Sequence, residues 1–468
     1  MNRNQVVDGY GVKLKWKIAT SSAPAQRKRH TKRSKSLDCA STESPASATS
    51  PLSIGSVAST STVLGGSNSL EYVELGFNLA GNLSVHPDLS LTDQRLLHYW
   101  IEQLSSLISV APKSGGPSSF QVHLASMTYN RGALQSTVLS MAATHLGLIS
   151  GDTALRFEAY KHQCDAIQQL QQLIADPSQA DADPALATVM MMQVSARLFG
   201  DEEEAHAANH LVGAKAMIAR RRTRTMSNAS SSAQFLLSLF AYHDILSSVS
   251  RGSSPLSDHG AEFMAIEDTA NMESIATVLR VVARISEYHE TAKAERLLSK
   301  QSDLRGHNFN LGAQIQQALF ELEFKPETAR SSESQDICFT AEAYRHAAFI
   351  YLYRVWLDMG SPNPTTLKHV QECITYIEQV PVDSPLTSSH TWPLFTAGCE
   401  ATDPAQRQFV RNRFIAMYES RKFPSLKRVL RDVEDVWAAK DAEQIMGGLK
   451  LDCIQVILKR RGREVDLA

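Results

Sequence analysis

At 468 residues, with 43% hydrophobic and 21% charged side chains, the chain can bury a core of its own, which excludes a wholly disordered or fibrous protein. Its formal net charge of −2 hides an asymmetry: residues 1–40 hold ten Lys or Arg against two acids, Asp8 and Asp38, so the remainder is net acidic. The six cysteines (Cys39, Cys164, Cys338, Cys373, Cys399 and Cys453) never fall within four residues of one another, which excludes CxxC metal or redox spacing.

A chain this long needs no disulfide staples, so we expect reduced thiols. The first thirty residues lack the apolar stretch of a secretory leader, and no apolar run reaches membrane-spanning length. No membrane association is expected.

In chain order, residues 1–40 read as a basic arm and 41–88 as a Ser/Thr/Pro-rich linker. Both are expected to be disordered, because SLDCASTESPASATSPLSIG and its continuation hold too little apolar surface to offset the entropy of ordering. Residues 89–462 read as a helical body. In 91–110, Leu96, Leu97, Trp100, Ile101, Leu104, Leu107 and Ile108 recur at spacings of three and four, with Thr92 or Asp93 as the expected cap. The stretch 132–149 is apolar on most faces and reads as a buried helix. Helices are expected at 153–177 and at 184–200, the latter opened by Pro184. The segment 202–222 is acidic at its start and basic at its end, which suits the helix dipole. Further helices are expected at 233–250, 271–299, 311–323, 338–358, 364–379, 404–420, 423–439 and 449–460. Alternating strand patterns are missing. The expected fold is all-α, an irregular array of antiparallel helices, with weaker seams near 252–270 or 324–337.

Few residues suggest chemistry. His206 and His210 lie four apart, with Glu202 one turn earlier, yet Ala207 stands where a zincin places its Glu. His145 and His162 read as packed core or boundary histidines. Nucleophile elbows, Walker loops and dinucleotide fingerprints are missing. Cys399 has no assignable base and reads as a small buried residue at a helix end. Phe349, Ile350, Leu352, Val355, Trp356 and Leu357 read as core. Catalysis is therefore not expected.

The arm is more telling. Lys13, Lys15 and Lys17 form one cluster, and Arg27, Lys28, Arg29, Lys32, Arg33 and Lys35 a second, with nine residues between the two. That spacing suits a bipartite import signal read in extended form by a receptor groove. The same cations would contact DNA phosphates weakly, without sequence preference and with strong salt dependence.

Three stretches, AYRHAAFIYLYR (343–354), WPLFTAGCEATDPAQR (392–407) and VLRDVEDVW (429–437), resemble the fungal-specific transcription factor domain of binuclear zinc-cluster regulators. HLVGAKAMI (210–218) and AYHDILSSV (241–249) are similar to two further parts of it. GYGVKLKW (9–16) resembles the segment that follows the zinc cluster, yet no cysteine precedes it here. The resemblance implies a nuclear regulator of transcription that forms homo- or heterodimers with related regulators. It also implies an import receptor and DNA as partners. No cofactor is expected in these residues; zinc would belong to an upstream cluster. The alternative is a helical interaction module that pairs with intact regulators and does not itself bind DNA. Within the body, Arg345 with His346, and Glu400 with Arg407, are expected as internal polar pairs.

Overall fold

Side-chain capping sets where several helices begin. The structure, a computed structural model, describes residues 89–109, 117–200, 208–222, 230–258, 273–298, 302–324 and 332–446, together with Val456, Val465, Leu467 and Ala468. The expected arm and linker lie outside the described residues, as does the expected helix 449–460 apart from Val456.

Helix α1 (Leu91–Tyr99) is capped by Ser90, whose hydroxyl accepts from the Asp93 N–H at 3.0 Å. The cap therefore falls earlier than the expected Thr92 or Asp93, because Asp93 occupies the third helical position and supplies the donor. A π-helical turn (Trp100–Leu104) carries α1 into the short α2 (Ser105–Leu107). The Ile101 carbonyl in that turn accepts from Ser105 Oγ and from Gln121 Nε2, each at 2.6 Å. Gln121 belongs to α3 (Ser119–Thr128), where it completes a capping box with Ser118.

Helix α4 (Ala133–Ser150) is buried on nearly every face and stops at Gly151, which takes the left-handed φ of 71° that favours glycine. Only two residues separate it from α5 (Thr153–Ala175), capped by Asp152, and the two pack as an antiparallel hairpin. Helix α6 (Asp183–Phe199) has Pro184 in its first turn, as expected. Then follow α7 (Ala208–Arg222), α8 (Ser231–Arg251), α9 (Glu273–Leu298), α10 (Ser302–Glu321) and α11 (Ser332–Leu357). The chain closes through α12 (Pro364–Gln379), a 3₁₀ turn (Pro385–His390), α13 (Thr391–Glu400), α14 (Pro404–Arg421) and α15 (Pro424–Met446).

Two buried helices organise the packing. Helix α4 is flanked by α1, α5 and α6, and α11 by α9, α10, α12 and α13. Helix α8 bridges α6 to α9, and α15 bridges α13 and α14 back to α6. On α11, Phe349, Ile350, Leu352 and Val355 are buried and Trp356 and Leu357 half-buried, so this stretch is core, as expected. Each such buried apolar side chain contributes roughly 1.5–3 kcal/mol. No strand occurs among the described residues, and the fold is all-α. The described residues all fall in one compact unit. None of their helices is long and apolar enough to cross a membrane.

Candidate functional site

The fold brings three of the quoted sequence stretches to one junction. Residues 343–354 lie on α11, 392–407 run from α13 into α14, and 429–437 lie on α15. At the centre is Glu400, the last residue of α13, with its side chain only 3% exposed. Its carboxylate accepts from Arg354 of α11 at 2.7 Å. It also accepts from the Ser361 N–H at 2.7 Å and the Ser361 hydroxyl at 2.8 Å. Lys440 of α15 lies 2.7 Å from the carboxylate and donates to the Cys399 carbonyl at 2.9 Å.

Burial pushes the Glu400 carboxyl up. Lys440, Arg354 and the donated hydrogen bonds outweigh it and hold the carboxyl at about 2. A Cβ at Gly360 would run into the Arg354 guanidinium, so that side chain would have to shift from its place beside Glu400.

The expected partner of Glu400, Arg407, is engaged elsewhere. Arg407 grips Asp441 of α15 through two bonds of 2.7 and 2.8 Å, and its Nε donates to the Ala401 carbonyl. Sequence proximity suggested the pair, but the helix end turns Glu400 inward while Arg407 stands on the outer flank of α14. There Arg407 and Arg411 lie 5.3 and 4.9 Å from the Trp437 ring centroid. The Trp437 indole donates inward to the Gly398 carbonyl at 2.7 Å.

Arg345 and His346 do not pair with each other either. Arg345 bonds Glu342, one turn earlier on α11, at 2.7 Å. His346 meets His369 of α12, Nδ1 to Nδ1, at 2.8 Å. One ring donates and the other accepts, so the contact holds only while the accepting nitrogen is unprotonated. Burial first, and then the cations Arg345 and Lys368, lower both rings, His346 to about 3 and His369 to about 4; His369 also depresses His346. Phe349 stacks on His369 at 4.5 Å between centroids.

His145 is a second buried junction. Its Nε2 donates to the Arg421 carbonyl, so its Nδ1 accepts from the Tyr99 hydroxyl, both at 2.8 Å. Phe199 and Phe423 flank the ring. His162 lies 3.0 Å from Asp93. Both are packed boundary or core histidines, as the sequence suggested. Cys399 is fully buried one residue before the end of α13. His210 lies on α7 and is lowered to about 4 by burial, while His206 and Glu202 lie outside the described residues. Among the described residues no group of three His, Cys, Asp or Glu could hold a metal ion.

Sequence reasoning missed Lys440, Ser361, His369 and Tyr99 as members of these junctions. No local signal marks them, since each partner is distant in sequence. The nine cations of the arm (Lys13, Lys15, Lys17, Arg27, Lys28, Arg29, Lys32, Arg33 and Lys35) lie outside the described residues.

The comparison with known families is decisive over most of the chain. The fungal specific transcription factor domain matches residues 95–467, which spans every helix from α2 to α15 and all the junctions above. The chain belongs to that family. In this fungal-specific transcription factor domain, three of the resembling stretches thus meet at one packed junction. Neither a curated protein nor a solved structure matches the chain. Membership points to the regulation of transcription.

Proposed function

We propose that this chain is a nuclear regulator of transcription, with a helical body that does the regulatory work and a basic arm that serves import and phosphate contact. The observation that carries the reading is the family match over 95–467, joined in one chain to a leader of ten cations. The arm's Lys and Arg would displace counterions from DNA and so bind it in a salt-dependent way. Such contacts position a protein on the duplex but do not read bases. Sequence choice would come from a zinc module or from a partner, and a homo- or heterodimer with a related regulator would supply the second half-site. The reading assigns the body no catalytic step.

The test compares a tagged full chain with a variant in which Arg27, Lys28, Arg29, Lys32 and Arg33 become Ala. We expect nuclear accumulation of the parent and its loss in the variant. In vitro, the parent should bind duplex DNA with an affinity that falls steeply as salt rises, and the variant with a shallower slope. Equal distribution of the two proteins outside the nucleus overturns the import role.

A further inference from the structure

We propose that a buried cationic cluster formed by Arg413 and Arg421 of α14 with His390 of the 3₁₀ turn holds a small oxyanion of the phosphate or sulfate type. The inference is independent of the function proposed above. It rests on side chains whose donors the protein itself leaves unused.

Arg413 and Arg421 are 7% and 4% exposed and lie eight residues apart, on one flank of α14. Each reaches the chain that leaves α12. Arg413 Nη2 donates to the Ile377 carbonyl at 3.0 Å and to the Val380 carbonyl. Arg421 Nη2 donates to the Ser384 carbonyl at 3.0 Å. His390 is fully buried, with its Nε2 at 3.0 Å from Thr340 Oγ1 of α11. When the Thr340 hydroxyl donates, the ring proton sits on Nδ1 and makes it a donor.

What remains is a set of buried, unpartnered nitrogens: Arg413 Nε, Arg421 Nε and Nη1, and His390 Nδ1. Among the described residues no carboxylate lies within ion-pair distance of either guanidinium. The acid that bears on Arg413 is Glu378, an exposed residue of α12. The cations also act on each other. Burial and then Arg413 lower Arg421 to about 10, and burial followed by both arginines holds His390 well below its ordinary value.

Two like charges buried without a counterion are costly, and so is each unmet donor. Carbonyl oxygens satisfy one nitrogen of each fork but carry no full charge to balance it. A small oxyanion supplies both, an acceptor for the unused N–H groups and the missing negative charge. Bound there, it would join α11, the end of α12, the 3₁₀ turn and α14.

The test titrates the full chain with inorganic phosphate by calorimetry, at ionic strength matched with chloride, with acetate as a separate arm. Variants are Arg421→Met and His390→Gln; the second keeps both guanidinium–carbonyl bonds if the first fails to fold. The variant with five arm cations changed to Ala separates this site from phosphate held by the arm. We expect saturable phosphate binding that survives in the arm variant and weakens by about tenfold or more in Arg421→Met and His390→Gln. No saturable phosphate binding, equal affinity in the site variants, loss in the arm variant, or binding of acetate alone would each overturn the proposal.

Discussion

Glu400 at the end of α13 and Arg354 on α11 are 46 residues apart in sequence and 2.7 Å apart in space, with both side chains buried. Lys440 closes on the same carboxylate from α15. One carboxylate thus bridges cations from two helices.

Replacing that acid should be expensive. Glu400→Gln keeps the shape but removes the negative charge that Arg354 and Lys440 share, and breaking a buried pair from one side costs about 3–5 kcal/mol. Urea unfolding should show that loss. A change under about 1 kcal/mol would show that the pair adds little. Arg407→Ala, whose partner Asp441 is half exposed, should cost only about 1 kcal/mol.

The same carboxylate makes an acid limb. Its folded pKa of about 2 lies below the ordinary 4.5. The stabilisation is therefore complete above pH 4.5 and disappears as pH falls through about 2, and its full size is roughly 3 kcal/mol. The stability gap between the parent and Glu400→Gln should be constant from pH 5 to 7 and shrink below 4.5. A gap that grows on acidification contradicts the assignment.

His346 and His369 give a second, higher window. Their folded values of about 3 and about 4 lie below the ordinary 6.5. The unfolded chain takes up protons first, so stability is complete above pH 6.5 and falls as the pH drops toward 4. Each ring contributes about 1.4 kcal/mol per pH unit within that window. Changing both to Gln should flatten the slope between pH 6 and 5 by up to two protons. An unchanged slope would mean that the pair titrates in the folded protein.

Gly312 on α10 sits against Trp356 of α11, where an added Cβ would lie 2.5 Å from the indole. Gly312→Ala should therefore destabilise by roughly 1–3 kcal/mol despite the helix preference of alanine. Trp356 emission should shift as the ring moves. A stabilised variant with unchanged emission would refute the close approach.

The helix content was readable wherever one face is apolar and the other wet. The stretches 91–110, 153–177 and 364–379 carry that period, and helices occupy all three. Three elements escaped. Ser119–Thr128 is short and follows a Pro/Gly loop. Pro385–His390 and Thr391–Glu400 are rich in Ser, Thr, His, Pro and Trp, and α13 is buried all round, so no period marks it. Residues 343–354 and 392–407 were legible as related to a family, but the Glu400–Arg354–Lys440 contact was not. Pairing across a tertiary fold leaves no trace in local spacing, and the nearest basic residue along the chain, Arg407, proved to serve a surface acid.

The π turn at Trp100–Leu104 behaves as a stored insertion. It accommodates one residue more than an α turn and leaves the Ile101 carbonyl facing Gln121. Deleting a single residue there would let the segment relax into an unbroken spiral, yet the clasp on the following helix would lose its acceptor. The irregularity therefore ties the first layer to α3, and its removal would also displace Trp100 and Leu104, which are fully buried in the apolar interior.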